Sequence, residues 1–298
     1  MEKTRENLYS LLGELPERDL PITACTMAID ENDSFFTEHL VLSLNGLEDV
    51  PAFFTRPKKA GPYPAMLFSH SHGGRYHMGK NELLSPAPYG YPVSYAKAMA
   101  ERGIACLAID HWCFGERSGR TETATFKSML WKGRVMWGMM VYDTLRAVDY
   151  LASRSDVDAS RIGATGISMG STMSIWTAAL DTRIKTCIDL CCLTDFDEFE
   201  REGSLDAHGI YYYVPSLTKH FSMADICALI APRPHLSTAG IYDRLTPVPG
   251  LEKIKAALDK VYAEQGAADG FKLITYPCGH LETRAMREDV LAFIDRTL

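Results

Sequence analysis

No run of apolar residues in this 298-residue chain approaches the length needed to span a bilayer. The N-terminal stretch MEKTRENLYSLLGELPERDL alternates charge with short apolar runs, which predicts neither a cleaved leader nor a membrane anchor. Blocks of like charge are missing as well: the net charge of −7 comes from 31 Lys+Arg and 38 Asp+Glu spread along the chain. That speaks against a phosphate-tracking surface, and so against nucleic acid as the main partner. The eight cysteines have no regular spacing, and several fall in apolar, strand-like runs. This predicts free thiols in a reducing, cytoplasmic setting and no disulfide framework. Repeats, low-complexity tracts and Gly/Ser/Pro-rich linkers are also lacking, so a single domain is expected over residues 1–298.

What the chain does contain is an alternation of short β-rich runs with helix-period runs. Strands are expected at 39–44, 52–56, 65–69, 104–110, 162–166, 186–190, 234–239 and 271–276. The first two, separated by Asn45-Gly46 and polar neighbours, read as an antiparallel hairpin. Helical spacing follows in Trp137, Val141, Leu145, Val148 and Leu151, in Leu251, Ile254, Leu258 and Val261, and in Met286, Val290, Phe293 and Ile294. The Met- and Trp-rich stretch 129–140 reads as a helix packed on the sheet. The pattern predicts an α/β fold with a mostly parallel eight-stranded sheet and helices on both faces. Residues 1–36 read as a polar, partly helical extension. The long connection 191–233 reads as a lid-like insertion at the pocket.

Gly166-Ile167-Ser168-Met169-Gly170 lies between a strand ending near residue 166 and a helical run starting near 172. A serine there sits on a sharp turn, lifted out of the sheet at the positive end of the next helix, with small residues relieving the crowding. Serine is a weak nucleophile unless a base is in reach and a third group orients that base. His280 follows the last expected strand and precedes the last helix, while Asp243 follows strand 234–239. Both therefore leave the carboxyl edge that carries Ser168, where open α/β sheets place their sites. The order Ser168, Asp243, His280 is the serine-triad order of such sheets. Asp195, after the preceding strand, is the fallback acid.

Phe68-Ser69-His70-Ser71-His72-Gly73-Gly74-Arg75 follows an early strand. There a backbone N–H, assigned to His72, is expected to join that of Met169 as an oxyanion hole. His70, His72 and His77, with Asp110 or His111, offer a rival reading as a metal site, but only two of these ligands are close in sequence. The insertion holds Asp206-Ala207-His208-Gly209-Ile210-Tyr211-Tyr212-Tyr213. Its aromatics suit a pocket wall, or the insertion's own packing. His208, Tyr211 and Tyr212 are the candidate substrate contacts, with His208 near the leaving group. The pair Glu116-Arg117 reads either as a surface pair or, through Arg117, as a brace beneath the site.

On these segments, together with Gly79-Lys80-Asn81-Glu82-Leu83-Leu84, 110–117, Ala231-Pro232-Arg233-Pro234 and 240–247, the chain resembles the acetyl-xylan-esterase-like and dienelactone-hydrolase-like branch of the α/β-hydrolases. The likeness runs over most of its length. It implies a serine hydrolase that cleaves small carboxylic esters, among them acetyl esters of carbohydrates, with no cofactor and no metal. Homo-oligomerisation is left open. The chain departs from the group's pattern at Ser71 and Ser171, where glycine is usual, and its nucleophile is Ser where dienelactone hydrolases have Cys. Two rival activities share these residues: a peptidase of the prolyl-oligopeptidase type, for which the usual propeller is missing, and a noncatalytic binding protein, against which the complete triad speaks.

Overall fold

The computed structural model describes residues 1–298. Its nine strands are β1 (Thr23–Glu31), β2 (Phe35–Ser43), β3 (Val50–Pro57), β4 (Tyr63–Ser69), β5 (Ala105–Ile109), β6 (Val157–Ile167), β7 (Ile184–Leu190), β8 (His235–Gly240) and β9 (Phe271–Tyr276). They form one sheet in the order β1-β2-β3-β5-β4-β6-β7-β8-β9. The β1–β2, β2–β3 and β3–β5 pairs are antiparallel, and every pair from β5–β4 to β8–β9 is parallel. The ten helices are α1 (Arg5–Ser10), α2 (Tyr95–Ala100), α3 (Glu122–Leu130), α4 (Met136–Ser153), α5 (Met169–Leu180), α6 (Phe196–Arg201), α7 (Leu217–His220), α8 (Met223–Ala228), α9 (Val248–Glu264) and α10 (Arg284–Thr297).

All eight expected strands form, and the Asn45-Gly46 hairpin joins β2 to β3. The ninth, β1, corrects the strand count and the reading of residues 1–36. It pairs along the outer edge of β2, and all nine of its residues are exposed. A strand that buries nothing leaves no alternating apolar signature to read. The stretch 129–140 is likewise two helices, α3 and α4, with a break between them.

Along β4 successive residues feed opposite faces: Ala65 and Leu67 join a core of 56 residues, while Met66 and Phe68 join one of 22. The larger core packs α4, α5, α8 and α9, and the smaller packs α2 and α10. Period-2 alternation thus covers both faces of the sheet, as the sequence implied. The chain crosses from β5 to β6 over β4, so the strand order reverses there. A crevice at such a reversal, at the carboxyl ends of the strands, is where this architecture places ligands.

Candidate active site

Ser168 joins β6 directly to α5 with φ 59° and ψ −120°, a backbone conformation that a non-glycine residue adopts only when its surroundings enforce it. The enforcement is visible on both sides. A side chain at Gly170 would run into the Ser69 carbonyl, and one at Gly166 would run into the same carbonyl and the Gly170 backbone. The Ser168 N–H is tied to Leu190 O at 2.9 Å. Met169 is the first residue of α5, a position whose N–H has no acceptor within its own helix.

Asp243 follows β8 and His280 follows β9. His280 Nδ1 lies 2.7 Å from Asp243 Oδ2, and Asp243 Oδ1 accepts the Leu245 N–H at 2.9 Å. A carboxylate can only accept, so Nδ1 carries the proton and the Nε2 lone pair is left for the open side. The Asp243 side chain is 1% exposed and that of His280 27%. Ser168 and His280 line one cavity of about 370 Å³ with His72, Gly73, Gly74, Asp206, Ala207, His208, Gly209, Tyr211 and Leu245. The fallback acid Asp195 is elsewhere: it caps α6 by accepting the Glu198 N–H and pairs with Lys253 at 3.4 Å.

In the loop after β4, the Ser71 N–H and hydroxyl both donate to Glu82 Oε2 at 2.7 Å, which accommodates this departure from glycine. The next N–H, that of His72, donates to no acceptor in the chain. The His72 ring is held by side-chain contacts that the sequence reading missed. Its Nε2 lies 2.7 Å from Glu122 Oε2, and its Nδ1 accepts the Gly74 N–H at 3.1 Å. Glu122 is the first residue of α3 after the N-cap Thr121, the ordinary position for an acid at a helix start. Only the fold brings it to the loop after β4.

His70 is spent internally: Nδ1 donates to Ser71 O at 2.9 Å and Nε2 accepts the His111 N–H at 3.2 Å, which leaves no lone pair for a metal. Burial brings His70 down to about 4. Asp110 holds two loops together, taking the Lys80 ammonium at 2.8 Å and the N–H groups of Lys80 and Glu116 at 2.7 and 3.0 Å. Arg117 is a brace and makes no pair with Glu116. It bonds Asp110 O at 2.8 Å, Asp143 Oδ2 at 2.9 Å and Glu48 Oε1 at 2.6 Å.

The insertion contributes Asp206, Ala207, His208, Gly209 and Tyr211 to the cavity wall. Tyr211 stacks on His72 with ring centroids 5.2 Å apart. Tyr212, expected beside it at the substrate, does not line this cavity. It stacks behind His208 at 4.3 Å and 8°. The two rings stand 82° apart because they follow one another in a tight 3₁₀ turn, Ile210–Tyr212, so only one can face the cavity. Burial, helped by the His280 and His72 imidazoles, lowers His208 to about 4.

A serine elbow, a histidine oriented by aspartate and a mostly parallel sheet that carries both at one edge define the α/β-hydrolase fold. The chain belongs to the acetyl xylan esterase (AXE1) family, whose model matches residues 36–221, more than half of its length. It is a carboxylic ester hydrolase. A Bacillus subtilis (strain 168) protein named "Putative hydrolase YtaP" is 51% identical over 295 residues, 99% of this chain and 98% of that one. Acetyl xylan esterase 1 from a Thermoanaerobacterium species superposes with a TM-score of 0.64 at 17% identity, over 98% of each chain. A glucuronoyl esterase from Solibacter usitatus gives 0.71 at 16% identity, over 97% of this chain and 91% of its own. At these identities the two solved structures share the fold. No helix is long and apolar enough to cross a membrane.

Proposed function

We propose that Ser168 is the nucleophile, His280 the general base and acid, and Asp243 the residue that orients it, in the hydrolysis of small acetyl esters of carbohydrates. The observation that carries this is that one cavity is lined both by Ser168 and by a histidine whose Nδ1 is fixed by Asp243, which leaves the Nε2 lone pair to take a proton. Ser168 Oγ adds to the ester carbonyl carbon as its proton passes to His280 Nε2. The carbonyl oxygen becomes an oxyanion, which the N–H groups of His72 and Met169 receive. Collapse breaks the bond to the alcohol oxygen, which leaves with the proton from His280, and Ser168 remains acylated. A water then gives its proton to His280, adds to the acyl carbon, and the acid departs as the proton returns to Ser168.

Two features support a small acyl group on a hydroxyl-rich alcohol. The cavity has only three apolar side chains, Ala207, Tyr211 and Leu245, among its lining residues. The family is named for acetyl xylan. His208 and Tyr211 are the proposed substrate contacts. The same reading places the enzyme in the cytoplasm, acting on a small ester and not on nucleic acid or a membrane; it is supported by eight free thiols and a net charge of −7.

Labelling with a serine-directed fluorophosphonate, followed by turnover of an ester panel, tests the proposal. Wild type should be labelled once and Ser168→Ala not at all, with acetylated sugars turned over faster than longer acyl esters. Labelling that survives in Ser168→Ala would sink the nucleophile assignment. A preference for long acyl chains would sink the substrate class.

A further inference from the structure

Glu122 lies in the connection between β5 and α4 and is bonded to no member of the Ser168, Asp243, His280 set. Its buried carboxylate nevertheless gathers three donors from two other segments. Oε2 takes the His72 Nε2–H at 2.7 Å and the Tyr76 hydroxyl at 2.9 Å, and Oε1 takes the Tyr211 N–H at 3.3 Å. The packing is close enough that a side chain at Gly209 would come within 2.7 Å of Oε1. Burial opposes the charge, yet the bonds from His72, Tyr76 and Tyr211 hold the carboxyl below its ordinary range. The His72 ring is thus held at both nitrogens, one face and an edge: Nε2 by Glu122, Nδ1 by the Gly74 N–H, the face by Tyr211 and the edge by Tyr76.

We propose that Glu122 is a positioning residue for ester hydrolysis: it fixes the His72 ring, and with it the His72 main-chain N–H that receives the oxyanion, and latches the 191–233 insertion onto the same loop. The inference rests on the oxyanion role given to His72 above. Its chemical requirement is specific. The donors approach both oxygens, so only a group that accepts on both sides satisfies all three. An isosteric amide must turn its NH₂ either toward the Tyr211 N–H or toward the His72 and Tyr76 donors, and one side is then left without an acceptor.

Glu122→Gln is therefore expected to lower kcat/KM about 30-fold, mainly through kcat, somewhat less than the 10²–10³ that loss of an oxyanion donor costs outright. Affinity for a trifluoromethyl ketone, which adds Ser168 and presents an oxyanion, should fall by the same factor. Product inhibition by the deacetylated sugar, which presents no carbonyl oxygen to the His72 N–H, should stay within about twofold, since uniform damage to the pocket would weaken both ligands. Tyr76→Phe, which removes one donor and keeps the fold, should cost about threefold in the same two readouts. In a His72→Ala background, adding Glu122→Gln should cost less than about threefold, because the ring through which Glu122 acts on the main-chain N–H is gone. A Glu122→Gln enzyme with wild-type affinity for the ketone would overturn the inference, and so would full additivity in the double mutant. Failure of the triad reading looks different: Ser168→Ala would then keep its activity, whatever the Glu122 variants do.

Discussion

Asp243 and His280 meet at 2.7 Å, and so do Asp189 and His235. Both pairs hang on the same parallel half of the sheet, Asp189 in β7 and His235 in β8, with Asp243 and His280 just beyond β8 and β9. What differs is the far side of each imidazole. His280 lines the cavity that holds Ser168 and its side chain is 27% exposed, whereas His235 and Asp189 are 0% exposed and His235 Nδ1 meets no partner at all. Asp189 also accepts the Ser237 hydroxyl at 2.7 Å and the Ser171 hydroxyl at 3.4 Å. It therefore ties β8 and α5 to β7 behind the elbow. Short carboxylate–imidazole contact is common to both pairs; a place on the wall of the Ser168 cavity belongs to one.

The comparison breaks most sharply under parallel substitution. On the proposed roles, Asp243→Asn should lower kcat about 10⁴-fold, since the amide no longer enforces the tautomer that leaves Nε2 free. Its melting temperature should move by only a few degrees. Asp189→Asn should do the reverse, because a half-broken buried pair costs about 3–5 kcal/mol, or on the order of 10 °C in a chain of this size. The protein that remains folded should keep kcat within about tenfold of wild type, a large separation from the Asp243 variant. Steady-state kinetics and thermal melts on the two variants decide it. An Asp189→Asn enzyme that is thermally normal and catalytically dead would erase the distinction.

The two pairs also differ in how far the sequence announced them. Asp243 and His280 each stand just past a strand end, and that position carries a geometric meaning in a parallel sheet. Asp189 and His235 lie within strands, among Ile188, Leu190 and Leu236, where a polar residue gives no hint of which neighbour it will face. Eight strands were legible because their residues are apolar continuously or in alternation. β1 was not, since an edge strand exposed along its whole length is free of that constraint. Glu122 stayed hidden for a related reason: an acid after a threonine N-cap is fully explained by its own helix. Its bonds to His72, 50 residues away, and Tyr211, 89 away, are products of the fold. The adjacent Tyr211 and Tyr212 carried one aromatic signal between them, and the turn that separates their roles has no residue pattern of its own.

His208 extends the comparison to an imidazole with no carboxylate. Its Nε2 lies 3.8 Å from the Cys192 thiol, and burial sets its folded-state value at about 4 against an ordinary 6.5. Between these values the unfolded chain holds the proton and the folded chain does not. Stability therefore rises with pH through that window and is lost as pH falls from about 6.5 toward 4. The full contribution is about 3 kcal/mol at one pH unit per 1.4 kcal/mol. His70 is lowered to the same extent, and His111 is lowered too, both chiefly by burial. His208→Gln should consequently flatten, without abolishing, the fall in melting temperature between pH 6.5 and 4. An unchanged slope would show that His208 is charged in the folded protein.

The smallest expected effect concerns the ring on which His208 rests. Tyr212 is buried, and its hydroxyl has no hydrogen-bond partner. A phenol oxygen in that position loses its hydration without recovering a bond, which costs about 1–3 kcal/mol. Tyr212→Phe removes the oxygen and keeps the face that stacks on His208 at 4.3 Å. The variant should therefore melt at the wild-type temperature or up to a few degrees above it, with kcat and KM for acetyl esters unchanged within about twofold. Tyr211→Phe, by contrast, keeps the face stacked on His72 and the backbone bond to Glu122 while altering a hydroxyl on a ring of the cavity wall. Its effect should appear in KM and not in stability. If Tyr212→Phe instead raises KM, the ring reaches substrate after all, and the division of labour between the two tyrosines is wrong.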